Sequence, residues 1–217
     1  MNILVKKIQQ ADLAERVVTD GQLARLLDGS PQRRYNLVNR ALHQGELLRL
    51  RRGRYLLASS IELRKVHPFV LVQSLQAGSY ISFETALSYH GWIPESTPVT
   101  MSVTPGSRKQ EIDVPIFGVF RFYPLALRSG YFLEGVDRVT FGGQTALVAQ
   151  PLRALLDLVC LRKLDHPGLS LLSESMRIDK EMLTSLNDEE LQRMLPVYQH
   201  KRLVTFIVSL KGGTFTR

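Results

Sequence analysis

The chain has 217 residues, of which 44% are hydrophobic and 8% aromatic, a composition typical of one large globular domain or two modest ones. Its one cysteine, Cys160, excludes an internal disulfide bond and a cysteine-cluster metal site. No apolar run approaches the roughly 20 residues of a membrane-spanning helix, and Lys6 and Lys7 come too early for a signal peptide. We therefore expect a cytoplasmic protein without a membrane partner.

The positive charge is concentrated in the first third of the chain. Residues 1–66 contain 13 Lys and Arg against 6 Asp and Glu, a net charge of +7, whereas the remaining residues contain 15 against 14, a net charge of +1. Such an excess attracts an anionic partner, which can be a nucleic acid, a membrane surface or an acidic protein. The order of the predicted elements in this region favours nucleic acid.

The first 58 residues predict three helices followed by a hairpin. Apolar side chains recur at helical spacing, and Thr19 and Ser30 are good N-cap residues for the second and third helices. Gly45 ends the third helix, and Gly53 suits a hairpin turn that needs a positive φ. This order is that of a winged helix-turn-helix, which lays one helix in the DNA major groove. The predicted elements are helices over residues 3–16, Asp20–Leu27 and Pro31–Gln44, and strands over Leu47–Leu50 and Arg54–Ala58.

The polar face of the third helix and the tip of the hairpin are the candidate DNA-binding surface. Arg side chains pair with guanine edges, and Asn or Gln side chains pair with adenine edges. Four arginines within six residues of the hairpin suit flanking phosphates or an adjacent minor groove. We predict that double-stranded DNA is contacted by Gln32, Arg33, Arg34, Asn36, Asn39, Arg40, Arg49, Arg51, Arg52 and Arg54.

The remainder of the chain predicts a larger mixed α+β domain. Ser59–Val66 is predicted to be a short charged connector, which divides the chain into a winged helix-turn-helix domain of residues 1–62 and an α+β domain of residues 63–217. In the second domain, helices are predicted to begin near Pro68, Ser82 and Pro151. Strands are predicted over Tyr80–Ile81, Val99–Val103, Val114–Tyr123, Val136–Phe141 and Thr145–Val148, and a polar loop over Pro105–Gln110. From Gly168 the chain is predicted to be helical, with caps at Asp179 and Asn187 and a last helix that contains Val197 to Val208.

Two stretches of the second domain carry a family resemblance. One is Tyr80–Pro94, with Tyr-Ile-Ser followed by Ala-Leu-Ser-x-His-Gly, and the other is Gly143–Leu158, with Pro-x-Arg-Ala-Leu-Leu-Asp-Leu at its end. In this order, and after the N-terminal module, they resemble the AbiEi family, the antitoxins of type IV toxin–antitoxin (abortive-infection) systems and related regulators.

The resemblance implies a repressor that binds inverted repeats in its own operon, with more than one copy on the DNA even if the free protein is a monomer. It also implies a second domain that opposes a nucleotidyltransferase-like toxin without forming a stable complex with it. No cofactor is implied.

No motif in the sequence predicts catalysis, so we expect neither an enzyme nor a metal site. The five histidines lack the spacing of metal ligands. Glu84, Tyr89 and His90 share one short helix. Glu84 lies in its first turn and His90 in its last, where the helix dipole and capping already favour an acid and a histidine. Asp157 is expected to anchor a salt bridge or a loop amide.

Three alternatives remain open at this point. An orphan regulator without a toxin would have the same sequence features. The chain could also be an enzyme acting on nucleic acid or nucleotides, tethered by its winged domain, or a protein-interaction module whose wing contacts a protein.

Overall fold

The computed structural model describes residues 3–62, 66–95, 97–164, 174, 177–178, 180–184 and 186–211. Its fold is mixed α+β, as predicted. In the first third, α1 (Ile3–Gln10) is followed by β1 (Val18–Thr19), α2 (Asp20–Leu26), α3 (Pro31–His43), β2 (Leu47–Arg51), β3 (Arg54–Leu57) and α4 (Ala58–Glu62). The three strands form an antiparallel sheet in the order β1-β3-β2.

Side-chain caps fix the ends of α2 and α3. The Thr19 hydroxyl accepts a hydrogen bond from the Gln22 amide at 3.1 Å, and the Gln22 side chain accepts one from the Thr19 amide at 2.8 Å, which completes a capping box. Ser30 caps α3 through the Arg33 amide, with Pro31 at the first helical position. The predicted starts of both helices are therefore confirmed.

Two predictions for the first third need correction. The first helix ends at Gln10 rather than near residue 16, because Asp12 has a φ of 57°, which a right-handed helix excludes. The predicted connector, Ser59–Val66, is partly helical, since α4 follows directly from β3. The Ser60 hydroxyl donates to the Leu57 carbonyl at 2.6 Å and joins the two elements.

The second part of the chain is built on one mixed sheet of six strands. The elements are α5 (Pro68–Leu75), β4 (Tyr80–Ile81), α6 (Phe83–Tyr89), β5 (Val99–Val103), β6 (Gln110–Val114), β7 (Gly118–Tyr123), β8 (Val136–Phe141), β9 (Gln144–Ala149), α7 (Pro151–Arg162), α8 (Lys180–Thr184), α9 (Asp188–Met194) and α10 (Lys201–Lys211). The strand order is β6-β7-β5-β4-β9-β8. Helices α5, α6 and α7 pack against the sheet, and α10 packs on α7.

The predicted strand over Val114–Tyr123 is wrong, because the structure has a hairpin there. β6 and β7 pair antiparallel, and the turn between them contains Ile116 with a φ of 74° and Gly118 with a φ of 81°. The alternating apolar pattern continues through the turn, so it conceals the reversal. β6 also begins at Gln110, which was assigned to the preceding loop.

The helical tail is confirmed in part. The Asn187 side chain accepts a hydrogen bond from the Glu190 amide at 2.8 Å and caps α9. Val197 was expected in the last helix, but α10 begins at Lys201. The predicted cap Asp179 lies outside the described residues, and so does Gly168.

A buried ion pair lies at the centre of the second part. Arg153 and Asp157, one turn apart on α7, are both fully buried, with Nε and Oδ1 3.0 Å apart. The Asp157 carboxylate also accepts hydrogen bonds from the hydroxyls of Tyr80, Ser82 and Tyr198 at 2.9, 2.7 and 2.8 Å. These bonds join α7 to β4 and to the C-terminal segment, and they confirm Asp157 as a salt-bridge anchor.

Two buried apolar clusters meet at the β2–β3 hairpin. Leu47, Tyr55 and Leu57 belong to a cluster with the N-terminal helices, whereas Leu50 and Leu56 belong to a larger cluster whose other buried members are described residues of the second part of the chain, such as Leu71, Phe120 and Leu155. The hairpin is therefore packed on both faces. Among the described residues, no helix is long and apolar enough to cross a membrane.

Candidate nucleic-acid interface

The α3 helix presents a polar face to solvent opposite its buried stripe. Val38 and Ala41 are buried in the N-terminal cluster. Because an α-helix repeats every 3.6 residues, the side chains that project away from this stripe share one outer face. The exposed members of the predicted set are Gln32, Arg33, Asn36 and Arg40, and the half-buried members are Arg34 and Asn39.

Local contacts already orient part of this face. The Gln32 side chain donates to the Asn36 side chain at 3.1 Å, one turn along the helix. Arg33 folds back over the turn, since a Cβ at Gly29 would lie 3.0 Å from its Cδ. No Asp or Glu occurs between Pro31 and His43, so α3 itself presents hydrogen-bonding groups and positive charge without a competing carboxylate.

The β2–β3 hairpin separates its four arginines onto two sides. Arg49 pairs with Tyr55 and Arg51 with Arg54, and the register shifts between the two pairs. Paired residues share a face and successive pairs alternate. Arg49 therefore lies with Tyr55 on the side of α3, with its guanidinium carbon 6.0 Å from the ring centroid, whereas Arg51 and Arg54 share the face of Leu56.

A cleft of about 540 Å³ lies between α3 and the hairpin. It is open to solvent, and Tyr35 at its edge is 61% exposed. Its basic groups come from both elements, which brings the helix and the hairpin tip together on one surface. The cleft is lined by Asp20, Pro31, Arg34, Tyr35, Val38, Asn39, Arg49, Arg52 and Tyr55.

Asp20 and Tyr55 form the floor of this cleft. The Asp20 amide donates to the Gly53 carbonyl at 3.1 Å, which ties the start of α2 to the hairpin turn. Burial and the Asp20 carboxylate raise the pKa of Tyr55, and the nearby Arg49 guanidinium opposes that shift. The phenol thus stays neutral beside the Asp20 carboxylate, and Arg49 and Arg52 are the cationic groups that the hairpin contributes to the cleft.

Arg51 has a different partner from the other arginines. Its guanidinium donates to the backbone carbonyl of Leu75, at the C-terminal end of α5. Arg54 donates to the Gly53 carbonyl at 3.1 Å. The structure therefore brings Arg49 and Arg52 to the α3 side and separates Arg51 and Arg54 from it.

Glu84 and His90, two of the residues considered for catalysis, have separate partners. The Glu84 carboxylate pairs with Arg162 on α7, while the His90 Nε2 lies 2.9 Å from the Ala149 carbonyl. The carbonyl oxygen can only accept, so the ring nitrogen that faces it donates. Within the described ranges, no group of three or more His, Cys, Asp or Glu side chains is arranged to hold a metal ion.

Sequence reasoning missed the roles of Asp20, Tyr55 and Arg51. Asp20 was predicted only as the first residue of the second helix, where the structure also places it, and its contact with the hairpin turn was not predicted. The strand alternation could have shown that Arg49 and Tyr55 share a face, but the bulge after Arg49 has no sequence signature that we recognise. The contact between Arg51 and Leu75 joins residues 24 positions apart and needs the fold.

Comparison with known proteins does not assign the chain to a family. No family model matches the chain, and no curated protein matches it significantly.

Proposed function

We propose that the chain binds duplex DNA in a sequence-specific manner through an N-terminal winged helix-turn-helix. The observation that carries the proposal is the shared surface of α3 and the hairpin, where an exposed polar helix face without carboxylates adjoins a cleft edged by Arg34, Arg49 and Arg52. The element order, with three helices before a hairpin, supports the same conclusion.

In this proposal α3 is the recognition helix. Its exposed Arg33, Asn36 and Arg40 belong to the outer face of the helix, and Arg33 turns away from Gly29 on binding, so that guanidinium and amide groups meet the edges of bases in a major groove. Each good bidentate pair discriminates against the wrong base by about 1–3 kcal/mol. Arg49 and Arg52 lie beside the helix and contact phosphates, which orients the helix without specifying sequence.

We further propose that the bound sequence lies in the chain's own operon and that the chain is the antitoxin of a type IV system. The resemblance of the Tyr80–Pro94 and Gly143–Leu158 stretches to the AbiEi family supports this part. The second domain would then counteract a nucleotidyltransferase-like toxin. Its buried Arg153–Asp157 pair would serve stability, because it is covered by Tyr80 and Tyr198 and has no access to a partner.

The DNA-binding proposal is tested with two duplexes of equal length and composition. One carries the region directly upstream of the chain's own coding sequence, and the other carries the same bases in shuffled order. Specific binders prefer their sites by about 10³-fold or more at physiological salt, so we expect a preference of at least that size in fluorescence anisotropy. Equal affinity for both duplexes, or no binding at low salt, would contradict the proposal.

The antitoxin proposal has a separate test. The chain is co-expressed with a nucleotidyltransferase-like protein from the neighbouring open reading frame, which the proposal requires, and growth is followed. We expect growth arrest by the toxin alone and recovery with the chain. If growth does not recover although the chain is present, folded and bound to its operator, the chain is a regulator without antitoxin activity.

A further inference from the structure

The loop between β5 and β6 is held against the same segment as the β2–β3 hairpin. Gly78, which follows α5 with a φ of 78°, is so close to Pro105 that an added Cβ would lie 3.1 Å from the Pro105 Cγ. Gly106 faces Gln76 in the same way, with 3.5 Å between its Cβ position and the Gln76 Nε2. The loop is therefore packed on the end of α5.

Arg51 brings the hairpin to this same end. Its guanidinium donates to the carbonyl of Leu75, the residue directly before Gln76. The hairpin and the β5–β6 loop thus contact the same short segment, the hairpin at Leu75 and the loop at Gln76 and Gly78. Leu50 and Leu56 of the hairpin are buried in the same cluster as Leu75, so apolar packing also holds the hairpin against the second part of the chain.

The β5–β6 loop is basic and exposed. Ser107, Arg108 and Lys109 are all exposed, and the range Pro105–Gln110 contains no Asp or Glu. Lys109 lies with its Nζ 5.1 Å from the centroid of the Tyr123 ring, which orients the ammonium group without neutralising it. The next acid along the chain, Glu111, is paired with Arg121 at 2.7 Å.

The base of the loop is fixed by hydrogen bonds. The Thr104 amide donates to the Tyr123 carbonyl at 3.0 Å, and the Thr104 hydroxyl accepts from the Gly106 amide at 3.1 Å. Two cationic side chains are therefore carried on a pinned loop that contacts the same segment as Arg51, on a part of the molecule whose overall charge is close to neutral. Because the base of the loop is already fixed, its backbone loses little conformational entropy when the side chains meet an anion.

We propose that the surface for the DNA backbone continues from the hairpin onto this loop, so that Arg108 and Lys109 of the second domain bind phosphates beyond those met by Arg49 and Arg52. The inference rests on the proposed DNA-binding function and extends it, because it assigns part of the phosphate contact to the second domain. It also predicts a longer footprint than the N-terminal elements alone would leave.

The test compares the salt dependence of binding in three full-length proteins on the upstream duplex. These are the wild type, Arg108→Gln with Lys109→Gln, and the control Arg138→Gln with Lys201→Gln. The control loses the same charge at exposed positions away from the hairpin, on β8 at the opposite edge of the sheet and at the start of α10. Each phosphate contact contributes about 0.9 to the slope of log K against log salt.

We expect the loop variant to lower that slope by about 1.8, with the control unchanged. At 0.1 M salt, a slope that is lower by about 1.8 corresponds to an affinity roughly 60-fold below that of the wild type. The preference for the upstream duplex over the shuffled one should stay the same, because phosphate contacts do not read bases.

A slope equal to that of the wild type, or an equal decrease in the control, would overturn the inference while leaving specific binding by α3 in place. A wild-type protein that binds neither duplex would overturn the proposed function and this inference together.

Discussion

The guanidinium of Arg51, at the end of β2, donates to the backbone carbonyl of Leu75 at the end of α5. Carbonyls in the last turn of a helix lack an intrahelical partner, so the bond satisfies one of them and joins the hairpin to the second part of the molecule. An arginine that sequence patterning assigned to DNA thus has a positioning role within the protein.

The first prediction separates Arg51 from its neighbour Arg52. Arg51→Ala removes the anchor, so we expect weaker binding to both duplexes with an unchanged salt slope, and a loss of about 1 kcal/mol in the free energy of unfolding. Arg52→Ala should lower the salt slope by about 0.9 and leave the stability unchanged. Anisotropy titrations at several salt concentrations and urea denaturation measure both quantities.

Arg51→Lys serves as the control, because an ammonium group can still donate to the Leu75 carbonyl. Its affinity should lie closer to the wild type than that of Arg51→Ala. A slope that falls by about 0.9 in Arg51→Ala would show instead that Arg51 itself contacts a phosphate.

The second prediction concerns the turn between β2 and β3. Gly53 has a φ of 72°, and a Cβ there would lie 2.8 Å from the Asp20 Oδ2, whereas Gly45 has a φ of 68° with no atom within 4 Å of its Cβ position. Gly45→Ala should lower the free energy of unfolding by about 1–2 kcal/mol through backbone strain alone.

Gly53→Ala has the same backbone strain and must also displace Asp20, so its loss should be the larger of the two. The displacement reaches the cleft, so this variant should also bind DNA more weakly than Gly45→Ala. Equal urea midpoints for the two variants would contradict the contact between the turn and Asp20.

The third prediction is a pH dependence at the start of α5. The His67 Nδ1 accepts a hydrogen bond from the Phe69 amide at 3.2 Å, and the ring stacks on Phe141. Burial lowers the pKa of His67 below its ordinary value of 6.5. The unfolded chain therefore takes up a proton first as the pH falls, so the stability contributed by the neutral ring is present above pH 6.5 and decreases below it.

His67→Asn keeps an acceptor for the Phe69 amide but cannot be protonated. Its free energy of unfolding should therefore depend less on pH below 6.5 than that of the wild type, as measured by urea denaturation across the range. Parallel pH profiles for the two proteins would show that His67 does not titrate differently on folding.

The fourth prediction ranks substitutions in the buried network. Burial alone would lower the pKa of Arg153, but the Asp157 carboxylate and the phenols of Tyr198 and Tyr80 outweigh it and raise that pKa, so the guanidinium stays charged. Asp157→Ala leaves this charge uncompensated and should cost about 3–5 kcal/mol. Tyr198→Phe removes one donor to a carboxylate that keeps its others, and should cost about 1–3 kcal/mol.

Both variants should keep the DNA affinity of whatever fraction remains folded, because the network is remote from the cleft. If Asp157→Ala were as stable as Tyr198→Phe in urea denaturation of the full chain, the pair would not be the buried anchor described above.

Local signals account for what the sequence predicted well. The starts of α2 and α3 follow from Thr19 and Ser30, whose side chains bond the amides three residues on, and the exposed face of α3 follows from its helical period. Pairing between β6 and β7 was missed because Ile116, an exposed β-branched residue, occupies a turn position that glycine or asparagine usually fills. The division of the hairpin arginines was missed because it depends on a bulge and on a contact with Leu75.

The most direct test of the account concerns base reading by α3. Arg33→Ala with Arg40→Ala is compared with Arg49→Ala with Arg52→Ala, on the upstream and shuffled duplexes at one salt concentration. We expect the α3 variant to lose at least about tenfold more affinity for the upstream duplex than for the shuffled one, and the hairpin variant to lose similar affinity for both. Equal losses of the α3 variant on the two duplexes would contradict the assignment of α3 as the recognition helix.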